Sequence, residues 1–303
     1  MAAAATPAPG GSNEGNPEYA RRRWSNTLRT IYVARKNVEA YVAIAEETGL
    51  TAQDCHAVAT ILVSRRKLEE ALSWVERGVD ITRKEPYGSA ADYDLVRLKR
   101  GLLARLGRGG EALEDAWTEY RKHPSKYTYD DLMQFVPKAE RAAWHAKAIE
   151  TAEGADLHSL IGLLLETEEM DRLADLVRRS ADDALEQMSH YATEPAARKL
   201  EKAFPDAAAR LWRALGMRIV RAKKSKHYDA ALSNFERALR CCEKAGLTGE
   251  WEKTVSQVRA DHHRKYRFMA GFEKLAAGSG PSHEPSFLER AKARWGRQRT
   301  ENG

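Results

Sequence analysis

The residues able to do chemistry are few and poorly placed for it. Cys241 and Cys242, with His227, His262 and His263, are the one grouping of metal-ligating types. Tetrahedral zinc sites separate their cysteines by two to four residues or their histidines by three to five. Neighbours on a helix diverge by about 100° and cannot share one ion. His227 and Cys241 stand roughly 21 Å apart along a continuous helix, so the cysteines read as small core fillers. His262-His263 before Arg264-Lys265 reads as a solvated basic face. Gly107-Arg108-Gly109-Gly110 has no strand before it and no Lys-Ser/Thr after it, so it is a hairpin turn and not a phosphate cradle. Glu168-Glu169 and Asp182-Asp183 read as capping and surface charges. No serine or cysteine sits in a nucleophile elbow. No catalytic, metal or cofactor-binding residue, no cofactor and no enzyme activity is expected.

Arg218, Arg221, Lys223, Lys224 and Lys226 form the densest basic cluster. With His227 and Tyr228 beside it, this cluster is a candidate anion or nucleic-acid contact. The same cations also suit a helix C-terminus, whose dipole they complement. Trp24, Trp74, Trp117, Trp144, Trp212 and Trp251 recur among apolar residues at helical spacing and read as packing residues. Trp74 and Trp117 are expected to be buried between neighbouring hairpins.

The elements that must position these residues are helices. Glu70-Ala71-Leu72-Ser73-Trp74, Glu111-Ala112-Leu113-Glu114-Asp115-Ala116-Trp117 and Asp229-Ala230-Ala231-Leu232-Ser233-Asn234-Phe235 repeat one theme. An acidic residue suits a helix start, Ala admits a close neighbour, and Leu with an aromatic fills the space beyond. Ala71 and Ala112 lie about 40 residues apart, and Ala112 and Ala231 about three times that. Weaker copies fall at Met170–Val177 and Phe204–Trp212. The spacing predicts an all-α, tetratricopeptide-like α-solenoid of stacked antiparallel helical hairpins.

The 303 residues carry a formal net charge of +6, with 43% hydrophobic and 31% charged residues. That is enough apolar surface for a substantial core, and strand signals are nearly absent. Charges of both signs alternate along helix faces, as on a solvated surface. Three cysteines, two of them adjacent, make no disulfide framework. No secretory signal and no membrane span are apparent, and the expected location is cytoplasmic.

Residues 1–17 are expected to be a disordered segment and 18–275 a helical-repeat domain. Residues 276–303 are expected to be a flexible linker with a short basic amphipathic helix. A single helix is predicted over Glu18–Glu47, closed by Gly49, with Thr51 capping the next. Hairpins follow at 51–82 and 90–123. Leu157–Glu166, apolar on nearly all sides, is expected to be the most buried helix. Further helices are predicted at 168–180, 194–202, 205–224, 228–245 and 249–275. Phe287, Leu288 and Trp295 share a face of the tail helix and make a candidate partner-binding surface or a cap on the last hairpin.

Glu70–Gly78, Ala104–Arg108 leading into Glu111-Ala112-Leu113, and Glu250-Trp251-Glu252 with Arg259–Arg264 carry a family likeness. Over roughly residues 25–275 the chain resembles the helical-repeat region that commonly follows SWIM zinc fingers in bacterial proteins. The finger's own Cys-x-Cys and Cys-x-His are missing here, so the resemblance implies the repeat fold without the metal module. The expected function is a non-catalytic protein-interaction scaffold whose partner the sequence does not identify. The alternative is a nucleic-acid-associated protein that grips phosphate through basic helix faces.

Overall fold

A computed structural model of the chain describes residues 17–84, 90–223 and 225–278. Residues 1–16, 85–89, Lys224, and 279–303 with Phe287, Leu288 and Trp295 lie outside the described residues. The described part is all-α and contains no strand. Its helices are α1 (Pro17–Ala34), α2 (Val38–Thr48), α3 (Ala52–Ser64), α4 (Leu68–Thr82), α5 (Ala90–Arg105), α6 (Gly109–Lys122), α7 (Lys126–Phe135) and α8 (Arg141–Thr151). They continue with α9 (Leu157–Glu166), α10 (Met170–Arg179), α11 (Asp182–Gln187), α12 (His190–Leu200), α13 (Pro205–Arg221), α14 (Tyr228–Ala245), α15 (Thr248–His262) and α16 (Tyr266–Ala276).

Five helix pairs turn on the same device. Lys36, Arg66, Gly107, Glu168 and Gly246 adopt φ of 54°, 61°, 78°, 59° and 70°. The next residue then donates its N–H five positions back. Asn37 bonds the Tyr32 carbonyl at 2.9 Å, Lys67 that of Leu62 at 3.0 Å, and Arg108 that of Leu103 at 2.8 Å. Glu169 bonds the Leu164 carbonyl at 2.9 Å and Leu247 that of Cys242 at 2.8 Å. This Schellman arrangement satisfies carbonyls that the helix end leaves orphaned. The donating residue is also the N-cap of the following helix. An acidic residue then enters each first turn, where the helix dipole favours it: Glu39, Glu69, Glu111, Asp171 and Glu250.

These turns correct part of the sequence reading. Residues 18–47 form two helices, because Lys36 takes the left-handed conformation and the Asn37 side chain accepts the Ala40 N–H at 3.1 Å. The helix expected over 249–275 breaks at His263–Lys265 into α15 and α16, and α11 was not anticipated. The apolar stripe continues through both helices of a hairpin, since both face one core, so periodicity alone hides the break. Thr51 caps α3 as expected, in a reciprocal capping box with Asp54.

The chain divides into two compact units, Met1–His123 with Tyr127–Ala148 and Pro124–Lys126 with Ile149–Gly303. In the first, Tyr41, Val58, Leu62, Leu72, Val75, Leu95 and Leu102 form the core. Asp54, 4% exposed, ties α1, α2 and α3 together. It accepts the Tyr41 hydroxyl at 2.9 Å and pairs with Arg29 at 2.8 Å. The buried Arg100 of α5 joins α6 and α7 through Asp115, at 2.8 Å, and Asp131. Burial opposes ionisation of Asp115, but its bonds from Lys99 and Arg100 outweigh that and hold its carboxyl below the usual range. Trp117 is buried, stacked on Tyr120 and edge-on to Trp144. Trp74 is only half-buried, with Arg77 over its ring at 5.0 Å, and Val75 takes the core position beside it. Trp24 is exposed.

In the second unit the most enveloped helix is α13, not α9. Ala207, Leu211, Trp212, Leu215, Met217 and Val220 are all buried, and α13 packs on α10, α11, α12, α14 and α15. Gly216 sets its closest approach to α14. A Cβ there would stand 2.8 Å from the Phe235 ring, which itself packs on Phe268 and Phe272. Gly162 in α9 has nothing within 4 Å of the same position. We expect Gly216→Ala to destabilise the chain by about 1–3 kcal/mol through overpacking. Gly162→Ala should instead stabilise it by about 0.5–1 kcal/mol through helix propensity. Urea unfolding of both variants checks the contrast.

Candidate functional site

The structure separates most of the residues that the sequence had grouped. Cys55, Cys241 and Cys242 are free and buried, and burial pushes all three thiols up to about 11, far from a reactive thiolate. Among the described residues no cluster of His, Cys, Asp or Glu is arranged to hold a metal. His262 is buried while its neighbour His263 is exposed, so they share no site. Burial first, then the Lys265 charge, lowers the His262 pKa.

Many cations are committed to helix C-termini. Arg210 of α13 donates to the Val177 and Ser180 carbonyls at 2.5 and 2.7 Å, closing α10. Lys244 of α14 donates to Glu201 and Lys202 at 3.0 and 2.8 Å, at the end of α12. Lys265 donates to Val220 at 2.6 Å, at the end of α13. Each places a positive charge on carbonyls at a helix C-terminus and on the negative end of its dipole. A helix-rich chain with a mild positive charge thus uses much of that charge internally.

The basic cluster at 218–226 also divides. Arg221 pairs with Asp183 at 3.2 Å and with Glu186 of α11. Glu186 is 4% exposed and also meets Arg213, at 3.3 Å. Arg213 further pairs with Asp182 at 3.2 Å and donates to Gln257 of α15 at 2.5 Å. The Asp182-Asp183 pair therefore belongs to a structural ion cluster that docks α11 on α13. Burial raises the Glu186 pKa, against the pull of both arginines. Lys223 and Lys226 are exposed, and Lys224 lies outside the described residues.

Arg218 has a different setting. It borders a groove of about 520 Å³ that runs along α13 between α12 and α14. Trp212, Leu215, Ile219 and Ala222 form its apolar floor at helical spacing, with Ala230 opposite. The rim carries Arg198, Arg218 and Arg237, with His190 and His227, against one carboxylate, Glu194. Arg237 lies over the Trp212 ring at 4.6 Å and Arg198 at 5.8 Å. These contacts fix both guanidiniums on an aromatic base. Arg198 also bonds Glu194 of its own helix at 2.6 Å, and Arg237 meets Glu201 at 3.5 Å. Arg218 Nη1 lies 3.4 Å from His190 Nδ1. Among the described residues no carboxylate lies within ion-pair reach of it. Trp212 is 1% exposed, and its indole N–H finds no acceptor. Such buried donors are rare and cost about 1–3 kcal/mol.

Sequence reasoning found Arg218 and read Trp212 as packing, but missed the groove. The available signal was the stripe Trp212, Leu215, Ile219, Ala222 with Arg218 beside it. The partners Arg198 and Arg237 come from other helices that no local pattern connects. The two classes of arginine should behave differently. Arg213→Gln removes one of the two cations on the buried Glu186, Arg221 remaining, and should cost about 1–3 kcal/mol. Arg218→Gln should change stability by less than about 0.5 kcal/mol. Chemical denaturation of each variant measures both.

No curated protein matches the chain. A family model does match, covering residues 3–270 and so most of its length, and its description is a family of unknown function. The chain belongs to this family, DUF6880.

Proposed function

We propose that the chain is a non-catalytic protein-interaction module whose helical hairpins stack in the manner of a tetratricopeptide-like α-solenoid. The groove along α13 carries this reading. It combines an apolar floor with polar groups at its rim, which is the composition of a site that takes side chains from a partner. The recurrence of one turn in five hairpins supports the solenoid reading. The likeness of its Ala-Leu-aromatic helices to other helical repeats points the same way. Nucleic-acid association is the weaker reading. Arg221 is committed to α11, and the Trp212 ring, 1% exposed beneath two arginines, offers no free face for a base.

Affinity purification of the full chain from its native host, with nuclease treatment, tests the proposal. Ala230 is exposed in the groove, so Ala230→Trp fills the groove without entering the core. The expected result is a protein that co-purifies after nuclease digestion and is lost with Ala230→Trp. Recovery of nucleic acid alone, or of proteins indifferent to Ala230→Trp, would contradict it.

A further inference from the structure

We infer that the groove along α13 takes an acidic segment of a protein partner, with an apolar side chain on the floor and a carboxylate held by Arg218; this rests on the protein-interaction reading above. The first support is charge complementarity. Three arginines and two histidines line the groove against one carboxylate. Arg218 differs from the other cations of α13, because Arg210, Arg213 and Arg221 each pair with a carboxylate of α11. A guanidinium with only an imidazole at 3.4 Å keeps donors for a carboxylate, which it can grip bidentately.

The second support is rigidity. Arg237 and Arg198 are held over Trp212 at 4.6 and 5.8 Å, and α13 beneath them is buried along its length. Long cationic side chains normally lose rotamer entropy on binding, and stacking removes part of that loss beforehand. The third support is the floor. Ile219 and Ala222 offer an apolar seat that a phosphate backbone would leave unfilled, whereas a peptide fills it with a side chain. Glu194 on the rim would repel a continuous polyanion and tolerates a segment with spaced carboxylates. The volume of about 520 Å³ suits a few side chains of a peptide.

A random peptide display library selected on the immobilised full chain, with Ala230→Trp as counter-selection, provides the test. The expected motif pairs Asp or Glu with a Leu- or Phe-type residue. The selected peptide should bind less tightly as salt rises, and Arg218→Gln should weaken it about tenfold. Circular dichroism confirms that the variant folds. Enrichment of uncharged peptides that bind Arg218→Gln equally well would overturn the acidic preference and leave a peptide-binding groove standing. Failure to enrich any peptide sensitive to Ala230→Trp would overturn this inference. An oligothymidylate that binds the full chain and is displaced by Ala230→Trp would overturn both readings.

Discussion

A single backbone conformation sets five of this chain's helix reversals. At each of five hairpins one residue enters the left-handed region, and its successor both closes the outgoing helix and starts the next. Three of the five positions are Lys36, Arg66 and Glu168, which accept that conformation at roughly 1–2 kcal/mol each relative to glycine. The cost is offset by satisfied carbonyls and by the packing that the reversal allows. Without the reversal, α1 and α2 would run on as one helix. Tyr41 would then not reach Asp54, and the lock among the first three helices would be lost.

Reversals at close spacing create many helix ends, and helix ends need charge. The second unit answers with long cations reaching across helices, so that Arg210, Lys244 and Lys265 close α10, α12 and α13. The same need explains the acidic face of α11, which neutralises arginines on a helix otherwise buried on most sides. Arg218 stands apart from these structural charges. Arg198 and Arg237 lie over Trp212 and meet Glu194 and Glu201, whereas Arg218 on the same groove meets an imidazole and, among the described residues, no carboxylate.

The sequence carried the architecture more fully than the site. The Ala-Leu-aromatic theme marked α4, α6 and α14, Thr51 announced a helix start, and Gly107 announced a turn. Lys36 hid its turn because nothing in a lysine signals positive φ, although Asn37 next to it is a good N-cap. Helix α11 was illegible because six residues are too few to show a period. Trp74 and Trp117 follow the same motif yet differ in burial, since Trp117 packs on Tyr120 and Trp144 while Trp74 packs on the edge of the core with Arg77 over its ring. The groove was illegible for a different reason. Its residues span α12 to α14, and convergence of that kind exists only once the helices are packed.

Hydrogen exchange of the full chain, with and without a groove-selected acidic peptide, addresses the central claim most directly. If the groove along α13 is the binding surface, slowed exchange should appear in α12, α13 and the first turns of α14, and residues 17–84 should be unchanged. Protection confined to the first unit, or spread evenly over both, would contradict it.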